Sequence, residues 1–212
     1  GIYSTDNSTI VIDSSTFEYI STFAINMEVG ELKIYNQYFN YSLILNNTIM
    51  YAYNITLNNT EMFLNNSVAT LNRSMFHANV RSKSIQMIYA FYSNVFVYNS
   101  LFHAFGYDNS TVYAIRCNYS QLEIRDSAVY ILSHNGSLVY GITTYALSSP
   151  LIVTNVTINI TCHDIDGDTE AYGIYMEGHS AEIRNSSFMS QVDGMGSILC
   201  IFSDYMNNVL VD

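Results

Sequence analysis

Charge is scarce in this 212-residue chain: 12% of the residues are Asp, Glu, Lys or Arg, about half the usual share. Seven Lys and Arg stand against 18 Asp and Glu, a net charge of −11. A chain of that sign with no basic cluster repels phosphate backbones and anionic membrane surfaces, so nucleic-acid binding is excluded. Tryptophan is absent and proline occurs once. The longest apolar run, Met87 to Tyr92, is far too short to span a bilayer. No basic segment followed by an apolar one opens the chain at Gly1, so the expectation is mature or excised material. Cys117, Cys162 and Cys200 are odd in number and lack metal-like spacing. They allow one disulfide at most and read better as buried free thiols. An apolar share of 49% with 14% aromatics excludes disorder and is enough for one core-bearing domain over residues 1–212.

Amide and hydroxyl side chains fill the gap left by charge. There are 23 Asn, 25 Ser and 15 Thr, and 13 Asn-x-Ser/Thr sequons without a middle Pro, against about four expected by chance. The excess points to N-glycosylation outside the cell or at its surface; the competing explanation is that these residues make good turns.

Repetition decides the fold class. Apolar pairs flanking one variable residue occur at Ile10/Ile12, Leu32/Ile34, Met62/Leu64, Val95/Val97, Leu122/Ile124, Leu151/Val153, Ala181/Ile183 and Val209/Val211. Their second members are spaced by 22, 30, 33, 27, 29, 30 and 28 residues. Alternation at i and i+2 is a strand signal. Ahead of the pairs comes an aromatic-small-apolar motif, as in Phe23-Ala24-Ile25, Tyr113-Ala114-Ile115, Tyr140-Gly141-Ile142 and Tyr172-Gly173-Ile174. A third strand follows, seen at Ser15-Thr16-Phe17, Ser100-Leu101-Phe102 and Ser186-Ser187-Phe188. Repeats of this length with short strands and no helical period predict a β-solenoid of about eight coils of roughly 28 residues.

In a solenoid, equivalent positions stack. The apolar column is expected to run Ile2, Ile25, Tyr53, Phe91, Ile115, Ile142, Ile174 and Ile201. Two residues beyond each core pair lies Ser14, Asn36, Asn66, Asn99, Asp126, Asn155 or Asn185. Asn tolerates the left-handed backbone of a sharp bend, and its amide can bond the same amide one coil away. Asn155 and Asn185 are therefore expected to be engaged in this ladder. The glycan candidates are Asn7, Asn40, Asn46, Asn54, Asn58, Asn65, Asn72, Asn109, Asn118, Asn135 and Asn159. Asn7, Asn40, Asn58, Asn118 and Asn159 come first because their offsets place them at the surface.

The stretch from Tyr172-Gly173-Ile174 through Ser180-Ala181-Glu182-Ile183-Arg184-Asn185-Ser186-Ser187-Phe188 resembles right-handed parallel β-helix repeat proteins of the pectin-lyase-like superfold. The resemblance extends over essentially the whole chain. It implies an all-β, right-handed parallel β-helix and leaves activity open, since that fold serves lyases, hydrolases, tailspikes, adhesins and structural surface proteins.

Catalytic candidates are sparse. Polysaccharide cleavage needs clustered carboxylates or a calcium cage. The expected outward positions, Tyr3, Asn26, Asn54, Tyr92, Arg116, Thr143 and Tyr175, include one charge and no acid. Arg116 alone reads as a solvated cation, and the chain is expected not to be an enzyme. Asp164, Asp166 and Asp168 resemble the start of a calcium loop but lack its glycine and final glutamate spacing. Apart from that weak calcium candidate, no metal and no cofactor is expected. His134 and His163 share a repeat position and could stack without a third ligand. The Tyr column is expected to be buried, with the Ala/Gly column facing outward as a smooth stripe.

No cap is visible at either end, where an open coil exposes strand edges. The expected partners are flanking coils or copies of itself, stacked head to tail, with glycans as possible ligands. The expected role is an extracellular, N-glycosylated building block of a fibre, filament, sheath or coat. The alternative is a carbohydrate-binding or adhesive module using Tyr92 and Tyr175, and a polysaccharide lyase or hydrolase comes third.

Overall fold

The computed structural model describes residues 1–15, 23–164, 169–204 and 209–212. Thr16 and Phe17 of the first expected third strand lie outside the described residues. Three all-parallel sheets make up the molecule, two of nine strands and one of seven among the described residues. Sheet A runs from Ile2–Ser4 to Ser197–Asp204, sheet B from Ser8–Asp13 to Val209–Val211, and sheet C from Tyr38–Phe39 to Ser187–Gly194. The chain visits A, B and C in turn, and each strand pairs with its equivalents one coil away. The expected parallel β-helix is what forms. No helix long and apolar enough to cross a membrane occurs among the described residues.

Strand parity sorts residues between core and surface. Sheet B points Ile12, Ile34, Ala52, Leu71, Val97, Ile124, Val153, Ile183 and Val211 into one column. Sheet C stacks Phe39, Leu57, Phe76, Phe102, Val129, Ile158 and Phe188. The Phe76 and Phe102 rings lie 4.6 Å apart and nearly coplanar in orientation, at 5°. Eight windings separate the first and last strands of sheet B, which at about 4.8 Å each makes a rod of roughly 40 Å.

The windings are unequal. Successive members of the sheet B column are 22, 18, 19, 26, 27, 29, 30 and 28 residues apart. Between Ile34 and Val97, three coils of 18, 19 and 26 residues thus sit where the sequence spacing suggested two of 30 and 33. Met62 and Leu64 belong to sheet A, paired with Leu43 and Leu45, and the true sheet B pairs there are Met50/Ala52 and Ala69/Leu71. The sheet A column correspondingly holds Leu43, Met62 and Ile88 in place of the expected Tyr53 and Phe91. Those two rings face outward.

The wide coils add a lobe between sheets C and A. Narrow coils leave sheet C after Tyr38–Phe39 or Thr56–Asn58, whereas wide ones continue through strands such as Leu101–Tyr107 and re-enter along Thr111–Asn118. Small residues let the two walls of the lobe close. A Cβ on Gly106 would lie 2.7 Å from Val139 Cγ2, and one on Gly141 would lie 2.8 Å from Ile131 Cδ1. Large side chains on one wall therefore meet small ones on the other, as tight packing requires.

Candidate functional site

Where lobe meets body, sheet A bends. Pairing passes from Tyr113↔Tyr140 directly to Ile115↔Ile142, skipping Ala114 and Gly141, and the same break recurs at Gly173. Ala114 and Ile115 both point inward, as do Gly141 with Ile142 and Gly173 with Ile174. Two consecutive inward residues overturn the parity expectation: the Ala/Gly column is buried, and the Tyr column faces outward, half-buried. A Cβ on Gly173 would approach Cys200 O to 2.5 Å, so the bend demands a residue without a side chain there.

The bend folds the outer face of sheet A into a shallow groove along the rod. One wall carries Tyr113, Tyr140 and Tyr172, stacked at 4.7 and 4.8 Å with rings 7° from parallel. The other carries Tyr89, Arg116, Thr143, Tyr175 and Phe202, which are register partners on successive coils. Tyr140 and Tyr172 meet Tyr175 edge to face across the groove, at 6.0 and 5.8 Å. Arg116 lies over three rings, Tyr113, Tyr145 and Tyr89, at 5.0, 5.5 and 5.6 Å. Such contacts hold a cation without an anion partner.

Burial raises the affinity of Tyr140, Tyr145, Tyr172 and Tyr175 for their phenolic protons. It pushes Tyr140 above its ordinary value, with neighbouring Tyr113 and Tyr172 adding to the effect. Burial also pushes Tyr172 up to about 12, reinforced by its hydrogen bond to Glu170 Oε2 at 2.8 Å. Along the ladder the facing ring faces are occupied by one another. Tyr175 stacks on Phe202 at 5.0 Å and Tyr92 on Tyr119 at 5.2 Å. Tyr92 lies at a corner, and Tyr89 holds the groove position expected of it. At the end of the groove, a recess of about 350 Å³ is lined by Arg116, Asn118, Tyr119, Tyr145 and Glu177. There Arg116 Nε and Asn118 Oδ1 are buried without a hydrogen-bond partner among the described residues.

The corners carry the second constellation. From sheet B to sheet C the chain turns through Ser14, Asn36, Asn54, Arg73, Asn99, Asp126, Asn155 and Asn185, all with φ between 46° and 54°. Asn99, Asp126 and Asn155 follow one another as expected, since each N–H donates to the coil above. Amide links include Asn54 Nδ2 to Asn36 Oδ1 at 2.9 Å and Asn155 Nδ2 to Asp126 Oδ1 at 2.6 Å. Asn66 is not in this column. It stacks on Asn47 at the corner between A and B, with Nδ2 donating to Oδ1 at 2.7 Å, and Asn54 and Arg73 take the places expected for narrow coils. Asn155 and Asn185 are exposed despite their ladder position, and among the described residues no side-chain hydrogen bond engages Asn185.

Behind many of the left-handed residues sits a buried hydroxyl, at Thr48, Thr60, Ser67, Ser74, Ser93, Ser100, Ser120 and Ser127, whereas Gln37, Ile55, Lys83, Leu147 and Val156 follow Asn36, Asn54, Ser82, Ala146 and Asn155. Ser67, Ser93 and Ser120 form one column, each Oγ accepting the N–H of the preceding coil at 3.0 Å. Each also donates to the carbonyl two residues back, at 2.9, 2.9 and 2.7 Å. Ser74, Ser100 and Ser127 repeat this at the next corner. The turn grammar is thus last strand residue, left-handed residue, buried Ser or Thr. It explains why the sequons at Asn46, Asn58, Asn65, Asn72 and Asn118 end in buried Thr48, Thr60, Ser67, Ser74 and Ser120. The signal for these ladders was present in the sequence as serine columns one residue after the Asn column.

The sequon asparagines differ in what their amides do. Asn54, Asn58, Asn65, Asn118, Asn135 and Asn155 donate Nδ2 to a neighbouring coil. Asn46 and Asn72 accept only. Asn7, Asn40 and Asn109 are exposed and make no side-chain hydrogen bond among the described residues, while Asn159 is half-buried with its Oδ1 unpartnered.

His134 and His163 are register partners, with ring centroids 6.0 Å apart. His163 Nδ1 meets Asp193 Oδ2 at 3.2 Å. Asp164 is buried and accepts the Thr169 N–H at 2.8 Å; Asp166 and Asp168 lie outside the described residues. Cys117 and Cys162 are buried free thiols and Cys200 is half-buried and free. Burial pushes Cys117 and Cys162 up from the ordinary thiol value, which keeps them protonated and unreactive. No known protein family, curated protein or solved structure matches this chain.

Proposed function

We propose that this chain is a structural β-helical segment of an extracellular fibre, sheath or coat, of the right-handed, pectin-lyase-like type, carrying N-linked glycans on part of its sequons. The observation that carries this reading is the occupation of outward groups by their own neighbours. Tyrosine faces stack on tyrosine faces, corner amides bond corner amides, and Arg116 is held by rings. Such side chains stiffen a rod and leave few ring faces for a ligand.

Exposed apolar groups gather in the last two coils of the structure. Met189, Val192, Leu199, Leu210 and Val211 are all exposed in the last coils. Sheet C ends one level before sheets A and B, at Ser187–Gly194. Electron microscopy of the secreted protein tests the reading: rods or filaments are expected, and uniformly globular monomers would overturn it.

The recess beside Arg116 favours a second reading, a glycan-contacting surface. A glycan-array signal lost on Arg116→Ala or Tyr175→Ala, but kept in Tyr3→Ala, would support it over the first.

A further inference from the structure

A recess of about 660 Å³ lies at the step from narrow to wide coils, bordered by Asn40, Tyr41, Asn59, Glu61, Arg81 and Lys83 among others. The strand Met75–Arg81 has a narrow-side neighbour only over Met75–His77, and Ser84–Phe91 only over Ile88–Phe91. Ala78–Arg81 and Ser84–Met87 therefore pair only on the wide side and overhang with no strand on the narrow side among the described residues. Two side chains substitute for the missing backbone: Asn59 Oδ1 accepts the Asn79 N–H at 2.7 Å, and Glu61 Oε1 accepts the Gln86 N–H at 3.0 Å. The rest of this overhang has no strand along it, a feature that invites edge-to-edge pairing unless covered.

We propose that Asn40 carries an N-linked glycan whose first sugars lie in this recess and cover the overhanging edges. This rests on the extracellular reading above. Asn40 heads the sequon Asn40-Tyr41-Ser42, is exposed, and makes no hydrogen bond with its amide, in contrast to the six sequon amides spent on neighbouring coils. The recess falls within the roughly 300–1,000 Å³ of sites that enclose small ligands. Its lining suits a sugar: Tyr41 offers a ring, Arg81 and Lys83 donors, and Glu61 and Asn59 acceptors. Sugar hydroxyls and the acetamide both donate and accept, so they can satisfy a strand edge without extending the sheet.

The test uses the full chain secreted from eukaryotic cells, with glycopeptide mapping and digestion by an endoglycosidase before and after denaturation. Asn40 is expected to be occupied. Its glycan should be released natively about tenfold more slowly than that on Asn7, as for a site open about a tenth of the time, and equally fast once unfolded. Asn40→Gln and Ser42→Ala should both raise self-association, and Asn7→Gln should not. Asn40 bare while other sequons are occupied, or trimmed as fast as Asn7, overturns this proposal alone. A chain with no glycan at any sequon overturns the extracellular glycoprotein reading and this proposal with it.

Discussion

The narrow coils between Asn36 and Arg73 and the wide coils between Asn99 and Asn185 share one body and differ by a lobe. Both turn through left-handed corner residues backed by buried hydroxyls, and both align Ile, Leu, Val or Ala along sheet B. The wide coils alone contain the bend at Ala114, Gly141 and Gly173, and only there does an outer groove form. The body thus sets the register of the stack, while the lobe is an addition at one corner that the register tolerates. Its two walls close only because small residues face large ones.

The largest expected effect tests whether the two kinds of coil are equally well filled. Phe76→Ala removes a fully buried ring stacked on Phe102 at the first wide coil. It should cost about 3–5 kcal/mol in urea unfolding, against about 2–5 for Leu57→Ala in the narrow coil below it. A cost below that of Leu57→Ala would mean that the wide coils are loosely packed. Next, Gly173→Ala forces a methyl against Cys200 O and should cost about 1–3 kcal/mol. The same change at Gly178, where only Ala146 Cα lies within 4.0 Å, should be milder than that, since its penalty is confined to the positive φ of 75°.

The buried hydroxyls should be indifferent to coil width. Ser67→Ala and Ser120→Ala each strand a backbone N–H and are expected to cost about 1–3 kcal/mol in the same assay; a large difference between them would show that the corners are not equivalent. The smallest effect is pH-dependent. His179, buried in the wide part, takes a hydrogen bond from Thr144 Oγ1 at Nε2, 2.8 Å, and donates from Nδ1 to Glu177 O, 2.9 Å. Burial lowers its pKa below the ordinary 6.5, so the unfolded chain binds the proton first. Its contribution is full above pH 6.5 and falls as pH drops toward the lowered value. Thermal melts from pH 7.5 to 5 should show this loss in the native protein and less of it in His179→Gln.

Much of the winding was legible because corners are chemically demanding. A left-handed φ favours Asn and Asp, so Asn36, Asn99, Asp126, Asn155 and Asn185 marked one edge of the rod. The narrow coils were not legible. Arg73 occupies the same backbone position at φ 50° without the compositional mark, and Ala52 and Ala69 are too small to stand out as core. Met62 and Leu64, with the right alternation in another sheet, filled the apparent gap. The groove was missed for a different reason: period-two parity fails at a bend with two inward residues in a row. It therefore assigned Tyr113, Tyr140 and Tyr172 to the wrong face.

Alternation and corner residues, both properties of a few neighbouring positions, were enough to specify strands, turns and the stacking of one coil on the next. Which residues lie side by side across the step, which face a tyrosine presents and which sequon amide is free depend on coil width. Width is set by contacts between coils, at positions 18 to 30 residues apart, and by the fit of the lobe walls, where Gly141 makes room for Ile131 and Gly173 for Ile160, and no period-two pattern encodes that fit.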